Sequence, residues 1–324
     1  MPTDSPAFTN RSGRDGKSFK EVPRMMVERR TRWPRWIDIA PQPPATRRDG
    51  RDVVVTFIGH STFLIQSAHG NVLTDPMFSS RASPVPFLGP RRVHVPGVRL
   101  EDLPRIDVVL LSHNHYDHCD LPTLRRLAER HNPLVVTPLR NGDLVRKADV
   151  DKVEELAWWQ ESRKAPFPLT LAPAQHFSAR TPFDRNQALW GSFVFELAGR
   201  RMYFGGDTGY SEHFRVIRAR LGRMDTALLP IGAYEPRWFM KDIHMNPAEA
   251  VQAHLDLEAR QSIAMHFGTF QLTTEGIDAP VHALREALAE RGVDQCAFQV
   301  MRPGESQHTQ SLSPRQQLTA DAAD

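Results

Sequence analysis

Between residues 52 and 300 the chain alternates short β-branched apolar runs with amphipathic stretches, which limits it to folds that layer helices on sheets. The first runs, VVVTFI (53–58), TFLIQS (62–67) and NVLT (71–74), have hairpin spacing around Gly59 and Gly70 and predict antiparallel pairing. DVVLLS (107–112), LVVT (134–137), LTLA (169–172), SFVFEL (192–197), RMYFGG (201–206), TALLPI (226–231) and SIAMHF (262–267) follow. Helices are expected at 122–131, 211–221, 247–259 and 280–291. The third has a marked start: Asn246 as N-cap, Pro247 at the first helical position and Glu249 where its side chain can reach back to the cap. No internal repeat is present. Two sheets with outer helices suit this order.

No apolar run reaches the ~18–20 residues that a membrane-spanning helix needs, and the first residues lack the apolar core of a signal peptide. A cytoplasmic location is the expectation. Two cysteines, Cys119 and Cys296, exclude a disulfide scaffold or a thiolate zinc site. The net charge of +3 hides a split, because residues 1–51 carry 12 Lys/Arg against 6 Asp/Glu and the remainder is net acidic. Residues 1–51 read as a basic, Pro-containing arm, 52–306 as one catalytic domain and 307–324 as a disordered polar tail. The segment 24–36, rich in cations, Met and Trp, suits an anionic membrane face. Pro34 interrupts any helical stripe, which favours an arm folded back on the domain.

Histidine is the outlier, at 14 residues, and four metal-competent side chains fall in one run. VVLLSHNHYDH ends an apolar strand and then places His113, His115, Asp117 and His118 within six residues. On an extended segment His113 and His115 point the same way while Asp117 and His118 diverge to a second point, a geometry for two neighbouring ions. Nitrogen and oxygen donors without thiolate suit zinc, manganese or iron. The alternative is a surface histidine cluster, which the preceding buried strand argues against.

Three further strand ends carry His176 (APAQHF), Asp207 (YFGGDTG) and His266 (IAMHFGTF). Singly, each reads more readily as a core histidine or turn aspartate. Together they complete two sites of about three protein ligands each: His113, His115 and His176 for one ion, Asp117, His118 and His266 for the other, Asp207 bridging.

The run HNHYDH followed by His176, Asp207 and His266 resembles the metallo-β-lactamase superfamily of binuclear metallohydrolases, which implies an α/β fold, a four-layered αββα sandwich in a single domain. GHSTFLI (59–65), TDPMFSSRASP (74–84), SHNHYDH (112–118), PAQHF (173–177), LWGSFVF (189–195), GGDTGY (205–210), PIGAYEPRWFMK (230–241) and HFGTF (266–270) are similar to the branch that hydrolyses N-acyl-phosphatidylethanolamine, a phospholipase D. The similarity runs from about residue 52 to about residue 306, and the arm does not match. It implies two Zn2+ and a phospholipid substrate cleaved to N-acylethanolamine and phosphatidic acid.

The charges fit that expectation. Two divalent ions against Asp117, Asp207 and a bridging hydroxide leave about +1, which complements a phosphodiester. Asp117, a ligand of one ion, is also a candidate catalytic residue, and His244 and His60, both in loops, are the candidates for the acid that protonates the leaving alkoxide. Tyr234 and the triplet Trp238, Phe239 and Met240, between Arg237 and Lys241, are candidate substrate contacts. The triplet lines an acyl groove, faces the bilayer or is buried core. The Pro-rich loop 79–90 is a second lipid-contact candidate. Peripheral membrane contact and a homodimer are compatible with this picture; a nucleic-acid partner is not, since the catalytic portion is net acidic. The competing activities are a lactonase or other carboxyl-ester hydrolase on the same scaffold, and a non-catalytic metal-binding module. Redox di-iron use is disfavoured by His115, where the related oxygen-reducing branch carries a carboxylate.

Overall fold

The computed structural model describes residues 6–47, 50 and 52–309. One sheet contains β1 (Val53–Gly59), β2 (Thr62–Ser67), β3 (Gly70–Thr74), β4 (Val108–Leu110), β5 (Leu134–Pro138), β6 (Val153–Leu156) and, last in the chain, β13 (Ser306–Thr309). The other contains β7 (Leu169–Ala172), β8 (Ser192–Leu197), β9 (Arg200–Phe204), β10 (Thr226–Pro230), β11 (Gln261–Met265) and β12 (Phe298–Gln299). Their orders are β13-β1-β2-β3-β4-β5-β6 and β12-β11-β10-β9-β8-β7. In each sheet consecutive antiparallel strands (β1-β2-β3, β7-β8-β9) lead into parallel ones, so the carboxyl ends of β1, β3 and β4 face one edge, as do those of β7, β9, β10 and β11.

Side-chain alternation builds the layers. Val53, Val55, Phe57, Val108 and Leu110 from the first sheet meet Phe193, Phe195, Met202, Phe204 and Leu228 from the second in one core. The odd-phase partners Val109, Leu111 and Val135 face the other way, against Leu124 and Leu127 of the helix α2 (Leu121–His131), and the short α3 (Gly142–Arg146) adds Val145. On the far side Val194, Tyr203, Ala227 and Leu229 pack on α4 (His213–Leu221), α6 (Pro247–Asp256) and α7 (Ala279–Glu290). The result is helix, sheet, sheet, helix, the four-layered sandwich expected. The start of α6 has the capping box read from the sequence, Asn246 Oδ1 accepting from Glu249 N at 2.8 Å and Glu249 accepting from Asn246 N at 2.9 Å.

The ends differ from the sequence reading. Gln307–Thr309, expected in the tail, are strand: Val53 to Thr56 pair with Thr309 to Ser306, extending the sheet by an edge strand. Residues 310–324 lie outside the described residues. The arm runs across the domain, with backbone bonds from Thr31 to Thr274, Ile37 to Val93 and Gln42 to Gly97, and includes the one-turn helix α1 (Val22–Met26). No helix among the described residues is long and apolar enough to cross a membrane.

Candidate metal centre

Every expected ligand emerges from a strand end on the shared edge. His113, His115, Asp117 and His118 follow β4, His176 follows β7, Asp207 follows β9 and His266 follows β11. Gly206 makes the Asp207 approach possible: at φ +56° it sits so near β4 that an added Cβ would lie 2.5 Å from Ser112 Cβ. Four non-glycine residues around the centre, His60, Asp75, Ala233 and His266, hold left-handed backbone conformations, the kind of local strain that packing sustains at functional sites.

Asp207 occupies the middle. Its Oδ2 lies 3.1 Å from His266 Nε2, 3.2 Å from His118 Nε2, 3.7 Å from His176 Nε2 and 3.9 Å from His113 Nε2. Two donor groups share that region: His113, His115, His176 and Asp207, and His60, Asp117, His118 and His266. In the first, His115 Nδ1 is 2.8 Å from His113 Nε2 and 3.3 Å from His176 Nε2. In the second, Asp117 Oδ2 is 3.4 Å from both His118 Nε2 and His266 Nε2. The structure brings all seven expected residues together, with His60 joining the second group and with Asp75, His113 and His118, and Asp207, His244 and His266, forming two further overlapping groups.

The chemistry of these atoms fits metal ions. His118 Nε2, His266 Nε2 and Asp207 Oδ1 are buried without a hydrogen-bond partner, a costly condition that an ion relieves. The outer nitrogens are tied. His118 Nδ1 donates to Asp75 Oδ2 at 2.6 Å, His176 Nδ1 to the Ile243 carbonyl at 2.8 Å, and His113 Nδ1 to Ser112 Oγ at 2.8 Å, whose own hydrogen goes to Asp75. Each bond fixes a tautomer with its lone pair turned inward. Asp75, at the turn TDP after β3, is not among the residues singled out by the sequence pattern; a carboxylate just past a strand end, the signal that marks Asp207, is the clue to it.

Electrostatics point the same way. Burial alone would raise the Asp207 and Asp117 carboxyls, but surrounding histidines, His118 first among them, hold both well below the usual range. Burial opposes charge on His118 and His266 too, yet Asp207 and Asp117 outweigh it. His118 is raised well above the usual histidine range and His266 to about 9. The carboxylate pair thus draws positive charge to the place where cations would sit. The other imidazoles are pushed down chiefly by burial, His115 to about 3 and His176 to about 4, and so present neutral donors.

The two candidate proton donors, His60 and His244, both border the centre. His60 Nε2 donates to Asp117 Oδ2 at 2.9 Å, and burial lowers its pKa to about 3, so in the metal-free protein it is a neutral imidazole tied to Asp117. His244 is within reach of the centre, Nε2 3.8 Å from Asp207 Oδ2, but burial holds it well below the usual range as well.

The apolar triplet is not an open lipid surface. It forms the short helix α5 (Arg237–Met240), whose turn directs Phe239 and Met240 inward onto Ala233 and Ile243, leaving them 8% and 7% exposed. Val22 and Met25 of the arm pack on this cluster. Trp238 stays half-buried, with the Arg24 guanidinium 4.3 Å from its ring and Glu28 accepting from its Nε1 at 3.1 Å. Tyr234 is 9% exposed. The cluster nevertheless reaches the centre through Phe177, whose ring centroid is 4.5 Å from that of His115.

A four-layer sandwich carrying a buried His/Asp cluster across the shared strand edge is a scaffold with a donor set that fits metal ions. Residues 70–267 match the family described as "Beta-lactamase superfamily domain", and the chain belongs to that superfamily. An uncharacterized protein of Mycobacterium tuberculosis is 42% identical over 250 residues, 76% of this chain and 66% of the relative. The Caenorhabditis elegans protein named N-acyl-phosphatidylethanolamine-hydrolyzing phospholipase D 1 is 39% identical over 73% of this chain and 70% of its own length. The mitochondrial Saccharomyces cerevisiae protein named for the same activity is 36% identical over 72% and 52%. The match therefore spans just under two thirds of the mycobacterial relative and about half of the yeast one. Among solved structures, the isothiocyanate hydrolase from Delia radicum gut bacteria shares the fold, with TM-score 0.63 and 21% identity over 78% of this chain and 98% of that one. The metallo hydrolase of Ignicoccus hospitalis gives 0.60 and 20% over 81% and 100%.

Proposed function

We propose that this hydrolase is a phosphodiesterase of phospholipase D type with a two-ion centre, zinc by preference, acting on N-acyl-phosphatidylethanolamine-like lipids. The observation that carries the reading is the convergence of five imidazoles on Asp207 Oδ2 beside a second carboxylate, in a chain 39% identical to the worm protein named for that activity. His113, His115 and His176 would hold one ion, Asp117, His118 and His266 the other, and Asp207 both. Bound there, the ions supply Lewis acidity toward the phosphoryl oxygens and make a water nucleophilic near neutral pH.

The chain's own residues do the rest. Asp75, Ser112, the Ile243 carbonyl and His60 lock the ligands, so little reorganisation accompanies reaction. Water attacks phosphorus in line, the bond from phosphorus to the ethanolamine oxygen breaks, and the departing alkoxide takes a proton originating from water. His244, neutral near pH 7, orients a phosphoryl oxygen or the water through its N–H instead of acting as an imidazolium acid. Phe177, half-buried, offers the apolar contact for an acyl chain next to His115.

Lipid is met elsewhere than at the triplet. Phe87 and Leu88, at the tip of loop 79–90, are 78% and 66% exposed, and the arm's Trp36 and Ile37 are exposed alongside a cleft of about 400 Å³ lined by Arg35, Arg81 and Arg91. Apolar side chains beside cations fit the peripheral contact of a bilayer with anionic headgroups. Release of phosphatidic acid and N-acylethanolamine from N-acyl-phosphatidylethanolamine in mixed micelles, dependent on added zinc, is the test. Failure of that cleavage together with opening of a lactone would replace this reading with the carboxyl-ester one.

A further inference from the structure

His176 sits in the loop after β7, where it has no neighbouring strand to pair its peptide groups. A buried N–H and C=O there need partners. They find one side chain, from a residue 166 positions earlier. Asn10 of the N-terminal arm, 4% exposed, accepts from His176 N at 3.1 Å through Oδ1 and donates from Nδ2 to His176 O at 2.8 Å. Its amide thus imitates a strand neighbour. The other contacts fix which end is oxygen, since Oδ1 also faces the Trp190 indole N–H at 3.2 Å and Nδ2 faces the Arg14 carbonyl at 2.9 Å. Asp15 Oδ1 completes the amide's surroundings, accepting from Nδ2 at 3.0 Å and from Asn10 N at 2.9 Å. One residue upstream, Gln175 receives a bond from Ser12 at 2.6 Å and donates to the Arg14 carbonyl at 2.5 Å.

We propose that Asn10 is a positioning residue for His176, and so for one ion of the pair. The proposal rests on His176 being a ligand. The imidazole is then fixed at three points: backbone N and O by Asn10, and ring Nδ1 by the Ile243 carbonyl. That leaves Nε2 no freedom but to face His115 and Asp207. Residues 10–15 lie outside residues 70–267, the segment that matches the superfamily, so a part of the chain beyond that segment helps to set the metal geometry. Removing an outer partner of a ligand typically lowers metal affinity about 10- to 100-fold.

The test compares three full-length variants with the parent, Asn10→Ala, His176→Ala and Ile217→Val. The last trims the core under α4, away from the loop, and controls for lost stability. Zinc affinity is read by chelator competition, and the geometry of the sites by the visible spectrum of the cobalt-loaded protein. Asn10→Ala should weaken one of two bound ions at least tenfold and alter the cobalt bands, while Ile217→Val binds both ions as the parent does. Parental binding and spectrum in Asn10→Ala, or equal weakening of both ions matched by Ile217→Val, would overturn the proposal. If His176→Ala keeps both ions, the ligand reading itself fails and takes the proposal with it; if His176→Ala loses an ion and Asn10→Ala does not, Asn10 alone is excluded.

Discussion

The Asp75 carboxylate lies 2.6 Å from His118 Nδ1 and is wholly buried, accepting also from Ser112 N at 2.7 Å and Ser112 Oγ at 2.6 Å. One side chain therefore aligns His118 directly and His113 through Ser112, one imidazole from each donor group. Asp75→Asn removes the charge while keeping the shape, and asparagine tolerates the left-handed backbone at this position. Affinity for zinc should fall about 10- to 100-fold. Chelator competition checks it, and parental affinity would show that Asp75 only supports the turn.

The metal-free protein should respond to pH in a defined sense. His266 is raised to about 9 in the fold, above the ordinary 6.5 of a histidine, because Asp207 and Asp117 outweigh burial. Its contribution to stability is full below about 6.5 and is lost as pH rises through about 9. The melting temperature of the metal-free protein should decline over that window. Zinc must displace this proton and the one on His118, so affinity should rise with pH between 7 and 9, with proton release visible in weakly buffered calorimetry. A pH-independent affinity would contradict the assignment of His266.

Legibility in the sequence followed burial. Strands such as β4 and β10 stand out because both faces are covered and nearly every residue is apolar. The polar edge strand β13, SQHT, and β6, VEEL with its two half-buried glutamates, carry no such pattern. The candidate ligands stood out in the sequence because imidazoles and a carboxylate crowded at the end of a buried strand are costly unless an ion binds them. What the ligands lean on did not. Asp75 looks like an ordinary turn aspartate, and Asn10 acts across 166 residues through a tertiary contact that no local spacing reveals. The apolar triplet misled because three adjacent large residues read as a patch, whereas a helical turn directs two of them inward and the arm covers them.

Asp207 should be the least replaceable ligand, because a single one of its oxygens lies 3.1–3.9 Å from imidazoles of both donor groups. Asp207→Asn keeps the volume and removes the negative charge that two cations would share on the proposed reading. Metal analysis after zinc reconstitution should show the loss of about one equivalent per chain, together with activity. Full occupancy and full rate would refute its bridging position.

The exposed loop tip and the buried triplet make opposite predictions about lipid. Phe87 and Leu88 touch little of the folded protein, so changing both to serine should leave the melting temperature within a degree or two. Each loses about 1.5–3 kcal/mol of transfer free energy if it inserts among acyl chains, enough for a tenfold or larger loss of activity on anionic vesicles. Hydrolysis of a soluble short-chain phosphodiester should be unchanged, because the metal centre and its supports are untouched. Trp238→Ala with Phe239→Ala should behave in the reverse manner. Phe239 is packed under the arm against Val22 and Met25, so the double variant should melt lower and lose activity equally on soluble and aggregated substrate. Equal activity of the Phe87→Ser, Leu88→Ser protein on vesicles and on the soluble ester would remove the loop from the lipid contact, and the cationic cleft lined by Arg35, Arg81 and Arg91 would have to bind the surface without an inserted anchor.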